Sequence, residues 1–383
     1  MKATFYMVIA LLFLIYGLLN YYIGSRLWQL LFSHFSFISV VLYWTVFWSW
    51  SLSYLAGRVG ERFLAAGIGT KLEIVGAYWL AFMFYALMVL LIFDAVRGLD
   101  KWLHFLPKGL LFSPVTGAFL FVLIAGIVVY GAWNARHPEV RHYEVSIAKK
   151  AGDLKSLHAV MVSDIHLGTI MHETQLNKMV EMVNELKPDV ILFSGDIIDE
   201  NVERVIEQEM EGSFKRLKAR YGVYAVLGNH EYIGGHAEEA VMYLEGAGVN
   251  VLRDRWLKVA GSFYVIGRDE SSKARFTGEK RLDLQDLLKG VDNSLPLILL
   301  DHVPSQLQEA QAQGIDLQLS GHTHRGQLFP NQFITSKIFE DDWGLLRKGN
   351  YQIIVSSGFG TWGPPIRVGN KPEIVDITMR FAD

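Results

Sequence analysis

The sequence predicts a two-part chain, a membrane region of four helices followed by an α/β domain, and three observations predict it. Residues 4–23, 35–57, 74–93 and 109–133 contain no Asp, Glu, Lys, Arg or His. Each stretch has the ~20 residues that a helix needs to cross roughly 30 Å of hydrocarbon. After "GAWNARHPEVRHYEV" charged residues become frequent, and apolar runs alternate with amphipathic ones, the pattern of strands alternating with helices. In that second part, short polar segments follow the apolar runs again and again.

The apolar stretches carry aromatic residues near their edges: Tyr21, Tyr22 and Trp28, then Tyr78, Trp79, Trp102 and Trp133. Such residues suit the headgroup level. The first stretch is longer than the apolar region of a signal peptide, and "LLNYYIGSRL" offers no small-x-small cleavage site, so it reads as a span. With no ionisable residue inside a stretch, no proton relay or ion path is marked. The second stretch has Ser and Thr able to bond neighbouring helices. Pro114 lies near the start of the fourth, where proline is tolerated.

Four crossings place both ends of the chain on one side. That side carries Lys2, Arg58, Arg62, Lys71, Arg136, Arg141, Lys149 and Lys150, against Arg26, Arg97, Lys101 and Lys108 on the other. The excess of cations predicts a multi-pass cell-membrane protein with its C-terminal domain in the cytoplasm.

Composition excludes other classes. The net charge of −3 is too small for a polyanion-binding surface, so no nucleic-acid partner is expected. The absence of cysteine rules out disulfides, thiolate metal sites and a cysteine nucleophile. The 383 residues leave room for more than one domain. The boundaries read as a membrane region over 1–134, a linker and first strand over 135–156, and the α/β domain over 157–383.

Within that domain "LHAVMVS", "DVILFSGD" and "GVYAVLGNHE" read as strands. "HETQLNKMVEMVNELK" reads as an amphipathic helix with Leu176, Met179, Val180 and Val183 on one face. "VERVIEQEMEGSFKRLKA" reads as one helix, and "AEEAVMYLEGAG" as a helix stopped by glycine. "LPLILLDHVP", "IDLQLSGHTH" and "YQIIVSSGFG" are further apolar runs ending in polar residues.

The polar residues past these runs are Asp164 and His166, Asp196, Asn229 and His230, His302, and His322 and His324. Ligands bind at the carboxyl ends of strands in open α/β sheets. A lone strand-end Asp is usually a turn or cap residue, but five such segments holding five of the chain's 12 histidines exceed what caps require. Oxygen and imidazole donors without sulfur suit Mn, Fe or Zn. Residues i and i+2 share a side of a strand, so Asp164 and His166 can reach one ion.

The order D-x-H, G-D-x-x-D, G-N-H-E, a later His and G-H-x-H resembles the calcineurin-like metallophosphoesterase family, from about residue 157 to the C-terminus. The tail "SSGFGTWGPPIRVGNKPEI" resembles a bacterial, membrane-attached subgroup. The resemblance implies a four-layer αββα sandwich and two divalent metal ions, Mn above Zn or Fe. Asp164, His166 and His324 would hold the first metal, Asn229, His302 and His322 the second, and Asp196 would bridge them. His230 would face the substrate phosphate as the catalytic acid. Two ions roughly 3.5–4 Å apart lower the pKa of a bridging water and clamp both ends of an in-line displacement, and an imidazole can protonate the leaving oxygen. Family members acting on phosphoproteins often carry Arg after the second Asp of G-D-x-x-D; here Glu200 follows Asp199, which turns the reading away from such substrates.

Other polar residues receive plainer readings. Asp199 is expected to orient a ligand or cap a helix, Asp301 to bond backbone, and Glu231 and Tyr232 to shape the pocket. His158, His172 and His236 read as surface or cap residues, and Arg325 and Arg367 as solvated. The expected function is a membrane-anchored phosphoesterase that cleaves a phosphodiester or pyrophosphate bond, with the lipid bilayer and a phosphorylated, lipid-linked substrate as partners. The alternatives are a phosphodiesterase acting on soluble nucleotide-like substrates, or a non-catalytic membrane receptor using the same domain.

Overall fold

A computed structural model describes residues 2–60, 63–64, 67–107 and 109–383. The chain divides into two compact units, residues 1–132 with 363–366, and residues 133–362 with 367–383.

The first unit contains α1 (Lys2–Leu30), α2 (Val40–Ser51), α3 (Ser53–Gly60) and α4 (Ile68–Leu103) together with most of α5 (Pro114–Ala135). Among the described residues three stretches, not four, are long and apolar enough to cross a membrane: Tyr6–His34, Ile68–Leu103 and Pro114–Ala135. The second expected span, 35–57, is instead a 12-residue and an 8-residue helix meeting at Leu52. At ~1.5 Å per residue, α2 covers about 18 Å. Its ends follow from serine chemistry. Ser39 accepts a hydrogen bond from the Leu42 N–H at 3.1 Å and caps the start. The Ser51 and Ser53 hydroxyls donate to the Trp48 and Trp50 carbonyls at 3.2 and 2.7 Å, competing with the helical ladder at the break. The count of four spanning helices, on which the shared side of both chain ends rested, is therefore not met. Arg62 and Lys108, part of the same charge comparison, lie outside the described residues.

Helix α4 also extends beyond its apolar stretch and takes in Glu73 and Asp94. Arg58 pairs with Glu73 at 3.6 Å, while Arg26 and the Tyr22 hydroxyl meet Asp94, each at 2.8 Å. About 30 Å of helix axis separates these two carboxylates, the thickness of a bilayer core.

The second unit alternates strands and helices: β1 (Glu139–Ile147), β2 (Ser156–Val162), α6 (Glu173–Leu186), β3 (Val190–Ser194), α7 (Val202–Glu207), α8 (Glu211–Phe214), β4 (Val223–Val226), α9 (Asn229–Ile233), α10 (Ala237–Gly246), β5 (Asn250–Val251), β6 (Arg255–Val259) and β7 (Phe263–Gly267). It continues with α11 (Lys273–Thr277), α12 (Leu284–Leu287), β8 (Leu297–Leu300), α13 (Leu307–Ala312), β9 (Leu317–Ser320), α14 (Gln332–Ile338), β10 (Gly344–Lys348), β11 (Tyr351–Val355) and β12 (Glu373–Phe381). The expected single helix from Val202 is two short ones, parted where Glu209 takes a left-handed backbone with φ +52°. Helix α6 buries Leu176, Met179, Val180 and Val183, the stripe that its periodicity predicts.

Two mixed six-stranded sheets result, ordered β1-β12-β2-β3-β4-β5 and β10-β11-β9-β8-β7-β6. Strands β2, β3 and β4 are parallel neighbours, as are β7, β8 and β9. Alternation along each strand sorts the core. Ala159, Met161, Leu192 and Val226 of one sheet share a cluster with Val265, Ile298, Leu300 and Leu319 of the other. Val160, Val162, Ile191 and Phe193 face the stripe of α6. Ile266, Leu297 and Leu299 face Leu284, Leu287 and Leu307.

Leu192 is fully buried in the cluster shared by both sheets. Leu192→Ala is expected to lower the unfolding free energy by about 2–5 kcal/mol, the usual range for a core Leu→Ala truncation. Urea titration followed by tryptophan fluorescence measures it; an unchanged midpoint would show that the two sheets do not share this core.

Candidate active site

All the sequence-predicted residues stand just past the C-terminal ends of neighbouring parallel strands. Asp164 and His166 follow β2, Asp196 follows β3, and Asn229 and His230 open α9 after β4. His302 follows β8, and His322 and His324 follow β9. The parallel direction within each set of strands brings these ends together.

Backbone strain marks the same positions. Asp164, His166, Asp196, His322 and His324 adopt positive φ values of 52°, 53°, 50°, 71° and 46°. Non-glycine residues rarely occupy that region, and such strain persists where surrounding structure imposes it. Here the imposing bonds are visible. The His166 N–H donates to the Asp196 carbonyl at 3.0 Å, and the Asp164 N–H to the Gly195 carbonyl at 3.1 Å. The His322 N–H donates to Asp164 Oδ1 at 2.9 Å and the His230 N–H to Asp196 Oδ1 at 2.9 Å. Two glycines permit this closeness. A Cβ on Gly228 would lie 2.1 Å from Asp196 Oδ1, and one on Gly321 2.2 Å from Asp164 Oδ2.

The side chains gather into overlapping clusters, Asp164–His166–His324, Asp196–His302–His322 and His166–Asp199–His230. His166 and His324 point Nε2 at Nε2, 3.0 Å apart. Burial lowers the His166 imidazole to about 4 and holds His324 well below its usual value, so both rings are neutral. One Nε2–H can donate to the other ring's Nε2, and a shared cation would take the place of that proton. The His302 Nδ1–H donates to the Ser194 carbonyl at 2.8 Å, leaving Nε2 to act as a donor atom. That Nε2 is buried and has no hydrogen-bond partner among the described residues, although Asp196 Oδ2 lies 3.2 Å away. Burial opposes a charged His302, but Asp196 outweighs it and raises the imidazole; a cation would take the place of that proton. His322 Nδ1 and Asn229 Oδ1 converge at 2.8 Å. Asp196 Oδ2 also lies 3.8 Å from His166 Nε2, so one carboxylate faces both clusters. This donor set fits two divalent ions.

His230 is arranged differently. Its Nδ1 bonds Asp199 Oδ1 at 2.7 Å, and its ring centre is 4.5 Å from that of His166. Burial pulls the imidazole down, but the Asp199 hydrogen bond and the charges of Asp196, Asp199 and Glu231 overcome it and raise His230 to about 9. The ring lines a cleft of about 490 Å³ with Asp196, Asn229, His322, Ile334 and Trp362.

Other expectations are met or corrected nearby. Asp199 orients His230 rather than capping a helix. Glu231 accepts the Ile198 and Gly228 N–H groups at 2.9 and 2.7 Å, tying the loops after β3 and β4 together. Asp301 is engaged by Arg281 at 2.9 Å and Arg268 at 3.6 Å. His172 and His236 stand at the N-caps of α6 and α10, and His158 pairs with Asp376. Arg325 lies 3.8 Å over the Trp343 ring. Arg367, expected in solvent, is fully buried. It donates to the Gly358 and Gly360 carbonyls at 3.0 and 2.6 Å and faces His324 Nδ1 at 3.4 Å. No periodicity marks it; the only sequence signal is a glycine-rich loop that leaves carbonyls needing donors.

Residues 157–326 match the family model described as calcineurin-like phosphoesterase. An uncharacterized metallophosphoesterase of Aquifex aeolicus is 35% identical over 63% of this chain and 91% of its own length. One from Campylobacter jejuni is 30% identical over 96% of both chains. A zebrafish (Danio rerio) transmembrane protein with metallophosphoesterase domain is 32% identical over 68% of this chain; the chain spans 62% of that relative's length. The chain belongs to the calcineurin-like metallophosphoesterase family.

Gly228→Ala tests the close approach at the centre of the site. It is expected to leave the fold intact by circular dichroism while displacing Asp196 and reducing bound metal, read by elemental analysis. Full metal content in this variant would show that the Asp196 carboxylate is free to move.

Proposed function

We propose that the protein is a multi-pass membrane phosphoesterase that hydrolyses a phosphodiester or pyrophosphate bond of a lipid-linked substrate. The observation that carries the hydrolytic reading is the single Asp196 carboxylate facing donors of two His/Asp clusters. Asp164, His166 and His324 would hold one ion and Asn229, His302 and His322 the second, with the Asp196 carboxylate available to both. Manganese suits this mix of carboxylate, amide and imidazole donors. When bound, the two ions supply Lewis acidity that activates water and neutralises charge on the phosphoryl oxygens.

The chain's own groups supply the rest. His230 stays off the ions, faces the substrate phosphate and gives its proton to the leaving oxygen. Asp199 fixes the ring through Nδ1, leaving Nε2 as the atom that donates. The catalytic part is residues 157–383, with 135–156 supplying a linker and first strand. A four-layer αββα order is supported by one cluster shared between the sheets and two clusters that each join a sheet to helices.

The lipid-linked part of the reading rests on the membrane region. Three long apolar helices are more than an anchor needs. Only residues 136–138 separate α5 from β1, a reach of about 14 Å. Helix α1 meets α4 through Arg26 with Asp94 and Asn20 with Trp79, so the two run in the same direction. The broken pair α2–α3 packs beside them, with Tyr43 bonded to Gly24 and Trp50 to Val75. The cations Arg58, Lys71, Arg136, Arg141, Lys149 and Lys150 support a cytoplasmic catalytic domain.

His230→Ala is expected to retain both ions and to lose about 10²–10⁴-fold in turnover on an alkyl phosphodiester, with a smaller loss on a nitrophenyl ester that needs little protonation to depart. Asp196→Ala is expected to lose metal as well as rate. If His230→Ala loses metal in the same way, the histidine is a ligand and the assigned role is wrong. For topology, a reporter fused after Asp383 is expected to read cytoplasm; a signal from the opposite side by a functional fusion would reverse the assignment.

A further inference from the structure

We propose that an apolar ridge beside the cleft, formed by Phe329, Phe333, Ile334, Ile338 and Trp362, is a docking surface for the lipid bilayer that carries the chain's own apolar helices. These five side chains are 42–66% exposed. They account for five of the eleven large apolar residues exposed between residues 139 and 383, although they occupy one short segment and one neighbouring residue. Clustering of this kind marks an interaction surface, where scattered exposed residues do not.

The ridge adjoins the chemistry. Phe329 and Phe333 touch edge to face with ring centres 6.0 Å apart. Ile334 and Ile338 lie four residues apart on one side of α14. Ile334 and Trp362 both line the cleft, and the Trp362 ring centre is 6.0 Å from that of His230. One flank of the catalytic mouth is thus made of the side chains that favour a headgroup–acyl boundary.

Three further observations select a bilayer as the occupant. Only residues 136–138 link the last apolar helix, α5, to β1, a reach of about 14 Å. Lys337 is exposed within the same helix, where a long cationic side chain can snorkel to phosphate. In the acidic run that follows, Glu340 is held by Lys348 at 2.7 Å and Asp342 by the Thr335 hydroxyl at 2.6 Å, and burial raises the Asp341 carboxyl to about 6. Aromatic and aliphatic residues beside such a cation are the composition of an interfacial membrane contact. Seating the ridge in the headgroup layer opens the cleft toward phosphate esters that stay in the bilayer.

The chain has no cysteine, so single-cysteine labelling can be done on the full-length protein. Phe333→Cys and Ile338→Cys, each carrying a nitroxide, are placed in phosphatidylcholine nanodiscs. Lys289→Cys serves as the aqueous reference, since Lys289 is 77% exposed far along the chain from the ridge. Collisions with oxygen report lipid, and collisions with a water-soluble nickel chelate report water. The labels at 333 and 338 are expected to show an oxygen-to-nickel ratio several-fold above that at 289. An equal ratio would overturn the proposal. Shielding from both reagents would also overturn it, because a protein surface would then cover the ridge. The readout is independent of hydrolysis, and the aryl phosphodiesterase rate of the same labelled protein reports separately on the reading of the site.

Discussion

The Asp196 carboxylate is where the two sheets meet chemically. It leaves β3 in a left-handed backbone, gives its carbonyl to the His166 N–H, and turns Oδ1 to the His230 N–H and Oδ2 toward His302 and His166. One sheet supplies His166 and His230, and the other supplies His302. A carboxylate buried among imidazoles is costly unless it is paired, and here several positive or donor groups face it at once. Gly228 is small because of this carboxylate, and the bonds of Glu231 to Gly228 and Ile198 hold the loops that surround it.

The rest of the second unit can be read as support for that meeting point. Parallel strands β2, β3 and β4 end side by side, as do β8 and β9, so five loops converge without any long excursion of the chain. The packed cluster shared by the sheets keeps the two sets of strand ends from shifting. Arg367 does the same on the far side. Its guanidinium, lowered to about 10 by burial, ties the Gly358 and Gly360 carbonyls beneath His324.

How much of this was legible in the sequence depends on range. The residues that gather at the strand ends were readable because each lies within four positions of a strand's end, so a local pattern announced a local cluster. The stripe of α6 was readable for the same reason. Longer-range arrangements were not. Nothing local says that Asp199 orients His230, or that Arg367 folds inward, because both depend on which loops become neighbours. The second apolar stretch misled for a different reason. Its hydropathy is that of a span, but hydropathy is blind to serine hydroxyls that break a helix at Leu52. The ionisable ends of α4 were missed because a helix can outrun its apolar core, and Glu73 and Asp94 lie just beyond the stretch.

The most direct test of the account is whether one carboxylate joins two ions. Protein loaded with two equivalents of Mn²⁺ should give the multiline electron paramagnetic resonance spectrum of an exchange-coupled pair, and Asp196→Asn should abolish the coupling. Two equivalents bound with only the six-line signals of isolated ions would contradict a bridged centre, and with it the mechanism built on Asp196.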